Sequence, residues 1–157
     1  MENYKIEHFE KITEDLVDVF KLLNDDMNEN SPARVKYGED CFHDLKDMTD
    51  SFIIYQNDKP VGCAILVFKC KEVGIITNIY VAPEHRRHKL CYKLFDVVEA
   101  QAKKRGHLML LSDTWNEYIP MQKAFLNGGF IEYKVHPDNE WESEYYSSGH
   151  NYWKLLV

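Results

Sequence analysis

One change of hydrophobic period constrains the fold of this chain more than any other feature. Residues Gly74 to Val81, GIITNIYV, are branched and aromatic enough for a strand, and the run stops at Ala82-Pro83 because proline cannot donate to a ladder. From Leu90 the pattern turns helical. Leu90, Leu94, Val97, Val98 and Ala102 fall on one face, while Lys93, Asp96, Glu99, Lys103 and Lys104 mostly take the other. Gly106 supplies the stop, after Lys103, Lys104 and Arg105, cations that the helix dipole favours at that end. Strand, short loop and helix in this order put unpaired backbone N–H groups at the helix N-terminus, where an anion gains roughly 0.3–1 kcal/mol. The loop itself reads His85-Arg86-Arg87-His88-Lys89. Basic residues oppose the dipole there, so their placement points to a compensating anion. Phosphate is the natural guest, and arginine can grip it with two parallel hydrogen bonds. The alternative is a solvated basic turn.

Around this unit the pattern continues as one α/β domain over residues 1–157, with no internal repeat or linker. Tyr4 to His8 reads as a short strand, and Thr13 precedes a helix with Leu16, Phe20, Leu23 and Met27 on one face. After a break at Asn28 to Pro32, a shorter helix is expected over Glu39 to Met48. Phe52 to Gln56 and Val61 to Lys69 flank the turn-forming Asn57-Asp58-Lys59-Pro60 and predict a hairpin. Leu108 to Ser112 reads as a buried strand and Ile119 to Asn127 as a compact helix ended by Gly128-Gly129. Phe130 to Lys134 and Asn151 to Val157 make a last hairpin around a long acidic loop. The expected fold class is α/β (α+β), a mixed and mostly antiparallel sheet flanked by about four helices.

Composition removes several function classes. The 157 residues carry a formal charge of −7, which disfavours nucleic acid as a partner, since that needs a basic face. No run of residues is apolar enough for a signal peptide or a membrane span, so a soluble, cytoplasmic protein with no membrane partner is expected. The four cysteines, Cys41, Cys63, Cys70 and Cys91, form no CxxC pair and the histidines have no zinc-ligand spacing. Free thiols and no metal follow.

The segment Val81-Ala82-Pro83-Glu84-His85-Arg86, the helix ending Lys104-Arg105-Gly106, the strand after it, then Asn116 and a short helix into Gly129-Phe130 resemble the GNAT family of N-acetyltransferases. The resemblance spans nearly the whole chain and is strongest from Gly74 to Phe130. It implies acetyl-CoA as acyl donor: Ile79, Tyr80 and Val81 would meet the pantetheine arm, and Arg86, Arg87, His88, Lys89, Leu90 and Cys91 the phosphates. The family loop, Arg/Gln-x-x-Gly-x-Gly/Ala, has small residues where this chain has Lys89 and Cys91. Small residues let the backbone approach a phosphate. Lys89 must therefore adopt a backbone that glycine takes more easily, at a strain of about 1 kcal/mol, or show that glycine's freedom was unnecessary. Its ammonium can offset that strain by pairing with a phosphate oxygen.

Acetyl transfer to an amine needs a base for the nitrogen and a stabiliser for the departing thiolate. Family members often carry a carboxylate on the strand before the loop, where this chain has Thr77 and Asn78; the nearest acid, Glu72, precedes the strand. The family's proton-donating tyrosine is replaced by Phe125, a core or cofactor-packing residue. Ser112-Asp113-Thr114-Trp115-Asn116, with Gly-Phe-Ile-Glu beyond, is similar to aminoglycoside 6′-type acetyltransferases, and this implies Asp113 as the group that holds or deprotonates the amine. Capping of a helix or turn is the alternative for Asp113. Asn116 would bond the pantetheine and Tyr118 would act as the acid. Acidic Asp25, Asp26 and Glu29, the Asp138 to Glu144 group and the aromatic Trp141, Tyr145 and Tyr146 suit a cationic substrate. Asp25, Asp26, Thr77, Glu140 and Trp141 are thus substrate candidates for a small-molecule or peptide amine: an aminoglycoside, a polyamine or a lysine side chain. Dimers are frequent among similar proteins, so a homodimer stays open. A CoA-binding sensor without catalysis is the rival reading.

Overall fold

The computed structural model describes residues 3–30, 45, 47–115, 119–136 and 149–157. In chain order the elements are β1 (Tyr4–Phe9), α1 (Glu14–Asn30), β2 (Met48–Gln56), β3 (Lys59–Cys70), β4 (Val73–Val81), α2 (Leu90–Lys104), β5 (Met109–Trp115), α3 (Ile119–Asn127), β6 (Ile131–His136) and β7 (Gly149–Leu155). They build one seven-stranded sheet in the order β1-β2-β3-β4-β5-β7-β6. Every neighbouring pair is antiparallel except β4 and β5, which run parallel through the α2 crossover.

Strict alternation along the central strands sorts two cores. Ile53, Tyr55, Cys63, Ile65 and Tyr80 face α1, where they meet Leu16, Val19, Phe20 and Leu23. Phe52, Ile54, Ala64, Leu66 and Ile76 face the other way, onto Leu90, Leu94, Phe95, Val98 and Ala102 of α2 and Phe125 of α3. Because β2 and β3 are covered on both faces, they read in the sequence as continuous apolar runs rather than alternating ones.

Local signals set the boundaries. Thr13 Oγ1 accepts from the Leu16 N–H at 3.1 Å and caps α1. Asn57 and Asp58, at φ of 50° and 64°, make a two-residue hairpin turn, so Lys59 and Pro60 belong to β3 rather than to the turn. Gly106 and Gly129, at φ of 87° and 88°, follow α2 and α3 in the left-handed conformation that glycine adopts most cheaply. Three α-helices, a short 3-10 turn at Pro83–His85 and 3-10 residues at Leu45 and Asp47 are present among the described residues, against the expected four helices. The expected second helix lies mostly outside those residues, and its last member, Met48, instead opens β2. The strand expected over Leu108 to Ser112 runs on to Trp115, while Leu108 is left exposed before it.

Candidate acyl-transfer site

The site forms where β4 and β5 separate. They pair only at Val73, Gly74 and Ile75 against Met109, Leu110 and Leu111, and no further β4–β5 pair follows among the described residues. Just past the last pair, the Ser112 hydroxyl donates to the Ile76 carbonyl at 2.7 Å, a buried contact that holds the base of the fork. Above it the β4 edge runs from Thr77 to Val81. On its other side β4 carries a bulge: Cys63 pairs with Tyr80 and Ile65 with Thr77, so Asn78 and Ile79 stand against Ala64 alone. Asn78 takes φ 52°, and its carbonyl accepts from the Cys63 thiol at 3.3 Å. Bulges of this kind recur beside active sites, where they re-aim a strand.

At the top of the fork the chain turns through Pro83–His85 into α2. Lys89 is the residue before the helix, at φ 58° and ψ 25°, and its side chain makes no cap. Arg87 is also left-handed, at φ 68°. Two non-glycine residues in this conformation store on the order of 1–2 kcal/mol each. A turn of this kind gathers backbone N–H groups into a concavity suited to an anion, and the exposed Arg87 and Lys89 add charge beside the positive end of α2. Lys89 thus takes the glycine-like backbone that the sequence demanded of it. These residues fit a phosphate-bearing donor.

Arg86 behaves differently from its neighbours. Its Nε donates to the Val81 carbonyl at 2.9 Å and its Nη2 to Asp26 Oδ2 at 2.7 Å, with the guanidinium 5.8 Å from the centre of the Tyr80 ring. Tyr80 donates to the same Asp26 oxygen at 3.2 Å and to the Leu22 carbonyl at 3.3 Å. Burial, then the charge of Asp26, push the Tyr80 phenol well above its ordinary value although Arg86 opposes them, so it stays a donor. Arg86, expected on the phosphates, and Asp26, expected on the substrate, are thus joined in a clasp that ties α1 and β4 to the turn. His85 meets Tyr4, whose hydroxyl lies 3.0 Å from its Nδ1, and the His88 ring is 5.4 Å from the Tyr4 ring.

The other candidates divide cleanly. Ile79 and Val81 are half-buried on the α2 side, whereas the Tyr80 side chain enters the α1 core, which leaves Tyr80 only its backbone for the fork. Leu90 is a buried core residue, so its N–H rather than its side chain faces the turn. Burial pushes the Cys91 thiol up to about 12 and raises Cys63 as well, so neither is a thiolate nucleophile at neutral pH. Phe125 is core: its ring stacks on Tyr152 at 4.8 Å and lies 5.6 Å from Phe95. Asp113 is exposed within β5, paired in register with Asn151 and well before α3. Thr77 is half-buried at the fork and Asp25 is exposed on α1. Glu72 sits in the turn before β4, at the paired end of the fork, where its carbonyl accepts from Leu108 and Met109. Asn116, Tyr118, Glu140 and Trp141 lie outside the described residues.

Sequence reasoning passed over a cluster on the α3 side of the last strands. Glu132 of β6 contacts the His150 imidazole of β7, and Tyr152 is their neighbour in register. An aromatic and a histidine in a terminal strand look like packing, and only the strand register brings them to Ser112 and Thr114.

A model of the acetyltransferase (GNAT) family matches residues 16–130. No curated protein matches the sequence. Among solved structures, an acetyltransferase from Streptococcus agalactiae is 19% identical, with 98% of each chain covered and a TM-score of 0.76. A GNAT family acetyltransferase from Elizabethkingia anophelis with acetyl-CoA bound is 16% identical, with 98% of this chain and 99% of that one covered and a TM-score of 0.75. An acetyltransferase from Bacillus subtilis in complex with CoA is 16% identical, with 99% and 100% covered and a TM-score of 0.73.

Proposed function

The chain belongs to the acetyltransferase (GNAT) family, and from that premise we propose that it moves an acetyl group from acetyl-CoA to a primary amine of a cationic substrate, with residues 1–157 acting as one catalytic domain. An aminoglycoside, a polyamine and a lysine side chain are the amines its acidity favours. That similar folds are known with acetyl-CoA or CoA bound supports the donor. The observation that carries the reading is the strained, cationic turn at the start of α2, set at the end of an open β4 edge.

In this reading the N–H groups around Lys89, with Arg87 and the Lys89 ammonium, hold the diphosphate. The pantetheine arm then runs down the fork from Val81 toward Thr77, its amides meeting the exposed backbone of β4. Asp113 holds the incoming ammonium at the C-terminal end of β5, the usual place for ligands in an open α/β sheet, and takes its proton. The freed amine attacks the thioester carbonyl directly. A C–N bond forms, the C–S bond breaks with its electron pair going to sulfur, and the proton shed by nitrogen restores the thiol. The raised thiols of Cys63 and Cys91 agree with a route that needs no acyl-enzyme.

The test is release of free thiol from acetyl-CoA in the presence of spermidine, an aminoglycoside and a lysine-rich peptide. Amine-dependent release by the wild type, lost in Asp113→Asn, is expected. Binding of acetyl-CoA without turnover on any of the three amines would leave the rival reading, a CoA-binding module.

A further inference from the structure

Tyr152 is fully buried, and its hydroxyl has no hydrogen-bond partner. A stranded phenol is costly, because a buried donor without an acceptor forfeits the water it gave up. The ring is held from several sides. It stacks on Phe125 at 4.8 Å, runs nearly parallel to the His150 ring at 6.4 Å, and stands in register between Ser112 of β5 and Glu132 of β6. The Glu132 carboxylate lies close enough to pull on the phenol without reaching hydrogen-bond geometry, and burial, then the charge of Glu132 and that approach, push the phenol well above its ordinary value, so its proton is retained. Glu132 is itself engaged by His150.

The position of this unused donor matters. Ser112, its partner across β5, is the residue that bonds Ile76 where β4 and β5 part. Tyr152 therefore sits level with the base of the fork, on the face shared with α2 and α3. From Ile76 to Val81 the β4 edge extends roughly 17 Å, so a chain anchored by phosphate at the top of the fork ends near this level.

We propose that the Tyr152 hydroxyl donates a hydrogen bond to the sulfur of bound CoA, and to that same sulfur as it leaves as a thiolate. The inference rests on the acetyl-CoA reading above. The donor stays protonated throughout, and the proton that restores the thiol is the one shed by the amine. Tyr152 thus stabilises the leaving group from β7, a strand to which the sequence assigned no chemistry.

The test is a comparison of CoA with desulfo-CoA, which lacks the sulfur, by titration calorimetry on the wild type and on Tyr152→Phe. The wild type is expected to prefer CoA by about threefold to tenfold, a preference that Tyr152→Phe abolishes while its affinity for desulfo-CoA is kept. The variant loses only the stranded hydroxyl, so its Tm without ligand is expected to equal or exceed that of the wild type. An unchanged preference for CoA in Tyr152→Phe, or a clear drop in its Tm, would overturn the proposal while leaving the donor assignment intact. Failure of the wild type to bind either compound would instead overturn the functional reading and this proposal with it.

Discussion

The two ends of α2 are built on opposite principles. At the C-terminal end Arg105 reaches the fully buried Asp50 through Nε at 2.6 Å and Nη2 at 2.9 Å, and the same carboxylate takes Gln101 at 3.1 Å and His8 at 2.5 Å. His107 closes the helix by donating to the Ala102 carbonyl at 3.0 Å. At the N-terminal end the residue before the helix is left-handed, no side chain caps the first N–H groups, and the nearby cations oppose the dipole. One end is satisfied and the other strained. Strain that persists in a folded chain is offset by stability elsewhere, and the Asp50 cluster supplies part of it by pinning the helix to β1 and β2, far from the turn that an anion completes.

The largest test of that contrast breaks the anchor. Arg105→Met strands the Asp50 carboxylate in the core and is expected to cost roughly 3 kcal/mol in chemical denaturation, while the folded fraction still binds acetyl-CoA with near wild-type affinity. Loss of binding in that folded fraction would mean that the two ends are not separable. The anchor also has a pH signature. Burial pushes the Asp50 carboxyl up, but hydrogen bonds from Arg105, His8 and Thr49 and the charge of Arg105 outweigh it, and the net value lies below the ordinary one. Its stabilising contribution is therefore complete above about pH 4 and fades as pH falls through the lowered value. In Arg105→Met the carboxyl is pushed up instead, so the stability gap between variant and wild type should begin to narrow above about pH 4 and go on narrowing as pH falls toward the lowered wild-type value.

Effects at the strained end are smaller and fall on ligand rather than fold. Replacing Arg87 and Lys89 together with glutamine should weaken acetyl-CoA binding about tenfold and flatten its dependence on salt, both readable by calorimetry. Lys89→Gly sharpens the contrast further. Relief of left-handed strain, about 1 kcal/mol, is offset by the freedom glycine adds to the unfolded chain, so Tm should hardly move while affinity falls about threefold with the lost charge. A gain in affinity would show that the lysine stem hinders the ligand. Smallest of all, Arg86→Gln should change acetyl-CoA affinity by less than about twofold, because Arg86 is spent on Asp26 and Val81. A loss equal to that of Arg87→Gln would return Arg86 to the phosphates.

Much of this was legible in the sequence because it is carried by short-range rules. The strand up to Val81, the proline turn, the helix from Leu90 and its glycine stop each follow from period, proline and caps, and Lys89 at a glycine position announced its own backbone strain. The clasp was not legible, since Asp26 and Arg86 meet only when α1 lies across β4, and nothing local says which arginine of a pair will be consumed. Nor was the anchor, which Glu10 joins by accepting from Arg105 Nη2 at 3.3 Å, and in which polar side-chain atoms of His8, Glu10 and Asp50 lie within 4.8 Å of one another although the residues come from separate strands and a turn. Tyr152 was hidden for a third reason. A tyrosine in a terminal strand reads as packing, and only burial of its hydroxyl without an acceptor marks it out.

The central claim concerns the turn before α2, and titration of acetyl-CoA into the wild type and into Arg87→Glu/Lys89→Glu tests it most directly. One-to-one binding that weakens with added salt in the wild type, and is lost in the charge-reversed variant with its Tm preserved, is the predicted result. Equal affinity in the two proteins, or no binding by the wild type, would contradict it.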